Sequence, residues 1–187
     1  MKLSSIPNWI TSLRLAGCPL LIALFVMGSY KALLVTYAMM ELLDQVDGKL
    51  AKVMKWQTEV GKFFDPFVDS LTHLIALACL MNVGLVPLWM YAVFLFREFG
   101  LLFLRLLAAL QGVSLGGHWA GKAKATVHAV VIFVCLWRLT FQSDVVFKAS
   151  AWLWMALTAS IASGIFYLYR YGFVLRKAFQ HETGSRH

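Results

Sequence analysis

Asp44-Gln45-Val46-Asp47-Gly48-Lys49-Leu50-Ala51-Lys52, followed after eight residues by Gly61-Lys62-Phe63-Phe64-Asp65-Pro66-Phe67-Val68-Asp69, sets how the rest of the chain is read. Four of the five aspartates in the chain fall in it, with long apolar runs on both sides. Residues three and four apart share one face of a helix. Asp44, Asp47 and Gly48 therefore form one short stripe, and Gly61, Asp65 and Asp69 another. The polar middle, 52–59, suits a solvated connection. The aspartates do not, because they stand at helical spacing among Leu42, Leu43, Val46, Phe63, Phe64, Phe67 and Val68. Carboxylates beside membrane helices are expensive and mark functional sites. Two acidic stripes that can be set face to face predict a cation site inside a membrane protein.

Composition supports the membrane reading. The chain has 187 residues, of which 60% are hydrophobic, and a mean hydropathy of +0.73; soluble domains are only about 45–50% apolar. An all-α integral membrane protein of one domain, 1–187, is expected. Cys18, Cys79 and Cys135 each lie in an apolar run, with neither a disulfide framework nor a zinc spacing, and read as small buried hydrophobes. The net charge of +8 marks the cytoplasmic face and anionic lipid rather than nucleic acid. Arg14 near the start of the first apolar run, and no small-residue cleavage site after it, keep that run as a helix rather than a signal peptide.

Six transmembrane helices fit, each near the roughly 20 residues a bilayer needs: 6–27, 31–53, 61–82, 87–110, 122–141 and 145–171, the last followed by a basic tail. Breaker residues punctuate them: Gly28-Ser29-Tyr30, then Asn82-Val83-Gly84-Leu85-Val86-Pro87, and the glycine-rich 111–121. Placing both termini and the 2–3 and 4–5 junctions on one side collects every basic residue except Lys31, Arg138 and Lys148. By the positive-inside rule both termini and the aspartate cluster are cytoplasmic. No internal repeat is visible, which weighs against an inverted-repeat transporter.

Carboxylates converging from two helices without a cysteine or histidine pair suit hard divalent cations such as Mg2+, Mn2+ or Ca2+. Two such ions about 3.5–4 Å apart can clamp a phosphate during in-line displacement. Gly48 and Gly61 allow close approach, and Lys49, Lys52 and Lys62 add positive charge at the same level. The combination points to a strongly anionic substrate such as a pyrophosphate. Other polar residues have plainer readings. His73, four past Asp69, reads as a hydrogen-bonded packing histidine, and His118, His128, His181 and His187 form no ligand spacing. Arg97 and Glu98 are adjacent and so lie on different helix faces. Most tryptophans and tyrosines read as interfacial anchors.

The aspartate stretch resembles the pattern of the CDP-alcohol phosphatidyltransferase family, Asp-x2-Asp-Gly-x2-Ala-Arg-x8-Gly-x3-Asp-x3-Asp. It departs only at Lys52, which keeps the charge of the usual arginine but not its bidentate fork. The flanks are similar to the branch of the family that uses a glycerol phosphate acceptor: Ile6-Pro7-Asn8 with Thr11, Arg14 and Pro19; Asp65-Pro66 with Asp69, although Ser70 stands where lysine is common; Arg97-Glu98 and Arg105; and Trp119 to Thr126 with Gly121, Lys122 and Lys124.

The resemblance implies transfer of a phosphatidyl group from CDP-diacylglycerol to sn-glycerol 3-phosphate, giving phosphatidylglycerophosphate and CMP. It implies two divalent cations, Mg2+ or Mn2+. Asp44, Asp47 and Asp65 would hold one, and Asp44, Asp65 and Asp69 the other, with Asp69 as general base. Gly48, Ala51, Lys52 and Gly61 would line the CDP-diacylglycerol, helped by Asn8 and Thr11. Arg105, Lys122 and Lys124, then Arg97, would bind the acceptor phosphate. A homodimer in the cell (inner) membrane, with its active site on the cytoplasmic side, is also implied. Another acceptor (inositol phosphate, serine or a second lipid) is the alternative within the family, and a divalent-cation transporter the alternative outside it. The clustered basic residues favour a phosphorylated acceptor over serine.

Overall fold

Among the described residues the apolar runs fold as six helices, α1 (Ile6–Val26), α2 (Tyr30–Val53), α3 (Gly61–Asn82), α4 (Leu88–Leu110), α5 (Trp119–Phe141) and α6 (Ala149–Gly184), and as no strand. The structure is a computed structural model that describes residues 6–53, 61–113, 119–142 and 149–184, with side chains over 11–45, 64–113, 123–142 and 150–177.

Local chemistry sets the boundaries. α1 ends at Gly28, whose φ of 68° suits glycine, and the Gly28 and Ser29 N–H groups donate back to Phe25 O and Leu24 O. Gly84, at φ 74°, ends α3 in the same way, with Gly84 and Leu85 donating to Met81 O and Leu80 O. Both are glycine-dependent Schellman closures that satisfy the last carbonyls. Pro87 caps α4 from an extended conformation rather than opening its first turn. α5 begins at Trp119, three residues before the expected start, so Lys122 lies in its first turns. α6 continues to Gly184, so the basic tail expected after 171 is helical in its described part. Its 36 residues span ~54 Å at 1.5 Å each, more than the ~30 Å hydrocarbon core.

The described turns at Gly28 and Gly84 fold α2 back along α1 and α4 back along α3. Thr140 Oγ1 donates to Tyr30 O at 3.2 Å, joining the end of α5 to the start of α2. The Trp89 and Trp154 rings, 5.6 Å apart, join the starts of α4 and α6. α1 packs on α2 and α3, α5 on α2, α3 and α6, and α4 on α3 and α6. A large core of Leu21, Leu33, Tyr37, Leu80, Phe94, Ile132, Leu136 and their neighbours fills the end away from the aspartates. A smaller one, including Leu104, Ala108, Tyr167 and Val174, joins α4 to α6 nearer them. Tyr37 and Tyr167 are thus core residues, while Trp89 and Trp154 are exposed near helix ends as anchors would be.

The outside of the bundle is apolar. On α4, Phe96, Phe99, Phe103, Leu106 and Leu110 are exposed at alternating three- and four-residue spacing, and on α6 so are Trp154, Ile161, Ile165 and Leu168. Stripes of this kind are solvated by lipid, not water. Among the described residues three helices are long and apolar enough to cross a membrane: Phe64–Asn82, Ala123–Phe141 and Ser150–Lys177. The apolar part of α1, Thr11–Val26, is shorter. α2 and α4 carry the charges described next. The chain is a membrane protein.

Candidate active site

Asp44 of α2 and Asp65 and Asp69 of α3 converge on one stripe of α1. Thr11, Arg14 and Cys18 are related by three and four residues, so they share a face. Thr11 Oγ1 donates to Asp65 Oδ1 at 2.7 Å. Arg14 pairs through Nη1 with Asp44 Oδ1, and its Nη2 stands 3.7 Å from Asp69 Oδ1. Below them, Cys18 Sγ lies 3.6 Å from Thr72 Oγ1. All three cysteines are free and buried, as their apolar surroundings suggest. Asp44 and Asp69 remain partly open, at 35% and 22%, while Arg14 is 1% exposed.

Asp47, Gly48, Ala51 and Lys52 continue the helical backbone of α2, Gly61 opens α3, Asn8 lies on α1 and Lys122 on α5. The side chains at these positions lie outside the described residues.

Glu41, one turn before Asp44, extends the cluster inward. His73 Nε2 lies 3.1 Å from Glu41 Oε1 and 3.9 Å from Asp69 Oδ1. The histidine is hydrogen-bonded and buried, and it also faces the site. One ligand atom each from Glu41, Asp69 and His73 fall within 4.8 Å of one another, close enough to share a cation.

A second polar cluster adjoins the first. Glu98, 4% exposed, accepts from Ser70 Oγ at 2.8 Å, from Arg97 Nη1 at 2.9 Å and from Lys124 Nζ. Arg97 and Glu98 therefore pair with each other despite adjacent positions: the long Arg97 side chain wraps to reach its neighbour. Arg97 Nη2 also donates to Ser163 Oγ on α6. Between the clusters is a cavity of about 60 Å³, lined among others by Asp69, Ser70, Arg97, Glu98, Arg105 and Lys124. Three of the four cations expected to bind an acceptor phosphate share this wall with Asp69.

Carboxylates of Asp44 and Asp69 beside the buried Arg14 guanidinium, with Asp65 and Glu41 next to them, form a hard-oxygen donor set already gathered around positive charge. That fits divalent cations. Spacing along the chain gives Arg14 no chemical role, does not single out Glu41 and assigns Glu98 no partner. Glu41 is within reach of such a reading, since it falls three residues before Asp44 on the same face. The partners of Arg14 and Ser70's acceptor Glu98 lie tens of residues away, and only packing brings them together.

Residues 4–165 match the family model described as CDP-alcohol phosphatidyltransferase, and the chain belongs to that family, whose members typically use divalent cations. It is similar to a probable phosphatidylglycerophosphate synthase of Mycobacterium tuberculosis, 32% identical over 90% of this chain and 82% of that one. It is also similar to CDP-diacylglycerol–glycerol-3-phosphate 3-phosphatidyltransferases. The Bacillus subtilis protein is 34% identical over 65% of this chain and 63% of its own. That of Treponema pallidum is 32% identical over 54% of this chain and 47% of its own. The chain thus spans about half to two thirds of the length of these last two relatives.

Proposed function

We propose that this protein transfers the phosphatidyl group of CDP-diacylglycerol to sn-glycerol 3-phosphate, producing phosphatidylglycerophosphate and CMP. The observation that carries this reading is the cavity in which Asp69 adjoins Arg97, Arg105 and Lys124. It sets a carboxylate able to take a proton beside cations able to hold a phosphate monoester.

Asp69 removes the proton from the acceptor hydroxyl. That oxygen bonds to the lipid-side phosphorus, and the bond from that phosphorus to the bridging oxygen breaks to release CMP. Asp44, Asp47, Asp65 and Asp69 would hold two divalent cations, Mg2+ or Mn2+. Such ions would neutralise a pyrophosphate and stabilise the attacking and leaving oxygens. Arg14 and Thr11 keep Asp44 and Asp65 oriented. Gly48, Ala51, Lys52 and Gly61 line the nucleotide; Asn8 extends this surface onto α1, and Thr11 contributes through Asp65. Arg105, Lys122, Lys124 and Arg97 attract the acceptor phosphate.

The whole chain forms one domain, and it works as a homodimer in the cell membrane. The charge asymmetry supports cytoplasmic termini and a cytoplasmic active site, where a soluble acceptor meets a lipid donor. The test is CMP release by purified protein given CDP-diacylglycerol, Mg2+ or Mn2+, and each candidate acceptor. Release with sn-glycerol 3-phosphate is expected. Release only with inositol phosphate, serine or a lipid would replace the acceptor, and none with any acceptor would exclude the transferase reading.

A further inference from the structure

We infer that Glu98 is a positioning residue that determines specificity for a phosphate-monoester acceptor, by fixing the cationic wall of the cavity beside Asp69. The inference rests on the transferase reading and adds to it a role for a buried acid.

The observations concern how the wall is held. Glu98 lies on α4, buried, with Oε2 accepting from Ser70 on α3 and Oε1 from both Arg97 and Lys124 on α5. Arg97 continues to Ser163 on α6, so this one carboxylate links four helices around the cavity. Ser70 directly follows Asp69, which ties the same network to the reacting end. Arg105 lines the cavity without an ion pair to any described residue.

Two consequences follow. Free lysine and arginine side chains lose much rotamer freedom when a ligand orders them; Glu98 orders Arg97 and Lys124 before a ligand arrives, which strengthens binding by preorganisation. Glu98 also sets the charge. Leaving Asp69 aside, Arg97, Arg105 and Lys124 against Glu98 leave two positive charges on the wall, the complement of a phosphate-monoester dianion. A neutral hydroxyl or a zwitterionic amino acid gains little from such a wall and does not offset its desolvation.

The test uses the full chain in detergent. Glu98→Gln keeps the size of the side chain but not its charge. Acceptor KM, donor KM and direct binding of sn-glycerol 3-phosphate by calorimetry are compared with wild type. Because charge-assisted hydrogen bonds are the strong ones, we expect the acceptor KM to rise about tenfold or more, with a matching loss of binding, while the CDP-diacylglycerol KM stays within about twofold. Glu98→Asp should recover part of the loss. Ser70→Ala removes only the Oε2 contact and should raise the acceptor KM about threefold; it decides the matter if Glu98→Gln does not fold. An unchanged acceptor KM, or equal rises in both KM values, overturns the proposal, as does wild-type protein that does not bind sn-glycerol 3-phosphate. If wild type binds that ligand but releases no CMP, the transferase reading fails while the binding comparison still decides the role of Glu98.

Discussion

A guanidinium as buried as that of Arg14 is tolerated only with its charge matched, and Asp44 and Asp69 supply the match. The arrangement keeps like-charged carboxylates of two helices close together, where they would otherwise repel one another. Asp69 has the most varied surroundings of the described aspartates: Arg14, His73 and the cation-lined cavity all meet it. Asp69→Asn should therefore lower the rate of CMP release by about 100-fold or more, the usual contribution of a general base. The variant should still insert in membranes and bind Mn2+, more weakly, as read by electron paramagnetic resonance. Turnover close to wild type would show that the proton goes elsewhere. At this scale the aspartates were legible, because helical spacing alone puts Asp65 and Asp69 on one face. The partner of Arg14 was not, because its apolar neighbours Leu13 and Leu15 say nothing about which acid it will meet.

Among the helices, α1 does the most to organise the site. Arg14 reaches Asp44 only if α1 approaches α2 closely, which Gly17 permits: a Cβ there would lie 3.0 Å from Met40 Sδ and 3.1 Å from Met40 Cε. A methionine tip can move, so Gly17→Ala should be tolerated, with Tm and CMP release near wild type. Gly17→Val adds bulk that the Met40 tip alone cannot yield, and overpacking of this kind costs about 1–3 kcal/mol. We expect that variant to melt several degrees lower in detergent and to lose activity disproportionately, since α1 carries Arg14 one turn away. Equal behaviour of the two variants would show that the α1–α2 contact is loose. The extent of α3 was readable from its apolar run and the turn residues after it. That of α6 was not, since a basic stretch beyond a span reads equally as a tail or as a helix emerging from the bilayer.

For the whole molecule, the testable property is orientation. Cys18, Cys79 and Cys135 are buried, so background reaction with a membrane-impermeant thiol reagent should be low. A cysteine introduced by Lys148→Cys should be labelled from the non-cytoplasmic side of intact cells only. Labelling from the cytoplasm would invert the topology and move the active site across the membrane. That the chain is an all-helical membrane protein with four of its five aspartates gathered in one motif follows from the residues alone, because helical periodicity and the cost of charge near lipid are local properties. That Arg14 holds Asp44 near Asp69, and that Glu98 gathers Arg97, Lys124 and Ser70 beside the cavity, emerges only in three dimensions. All but one of those contacts join residues on different helices, and their partners are selected by how the helices pack rather than by any spacing along the chain.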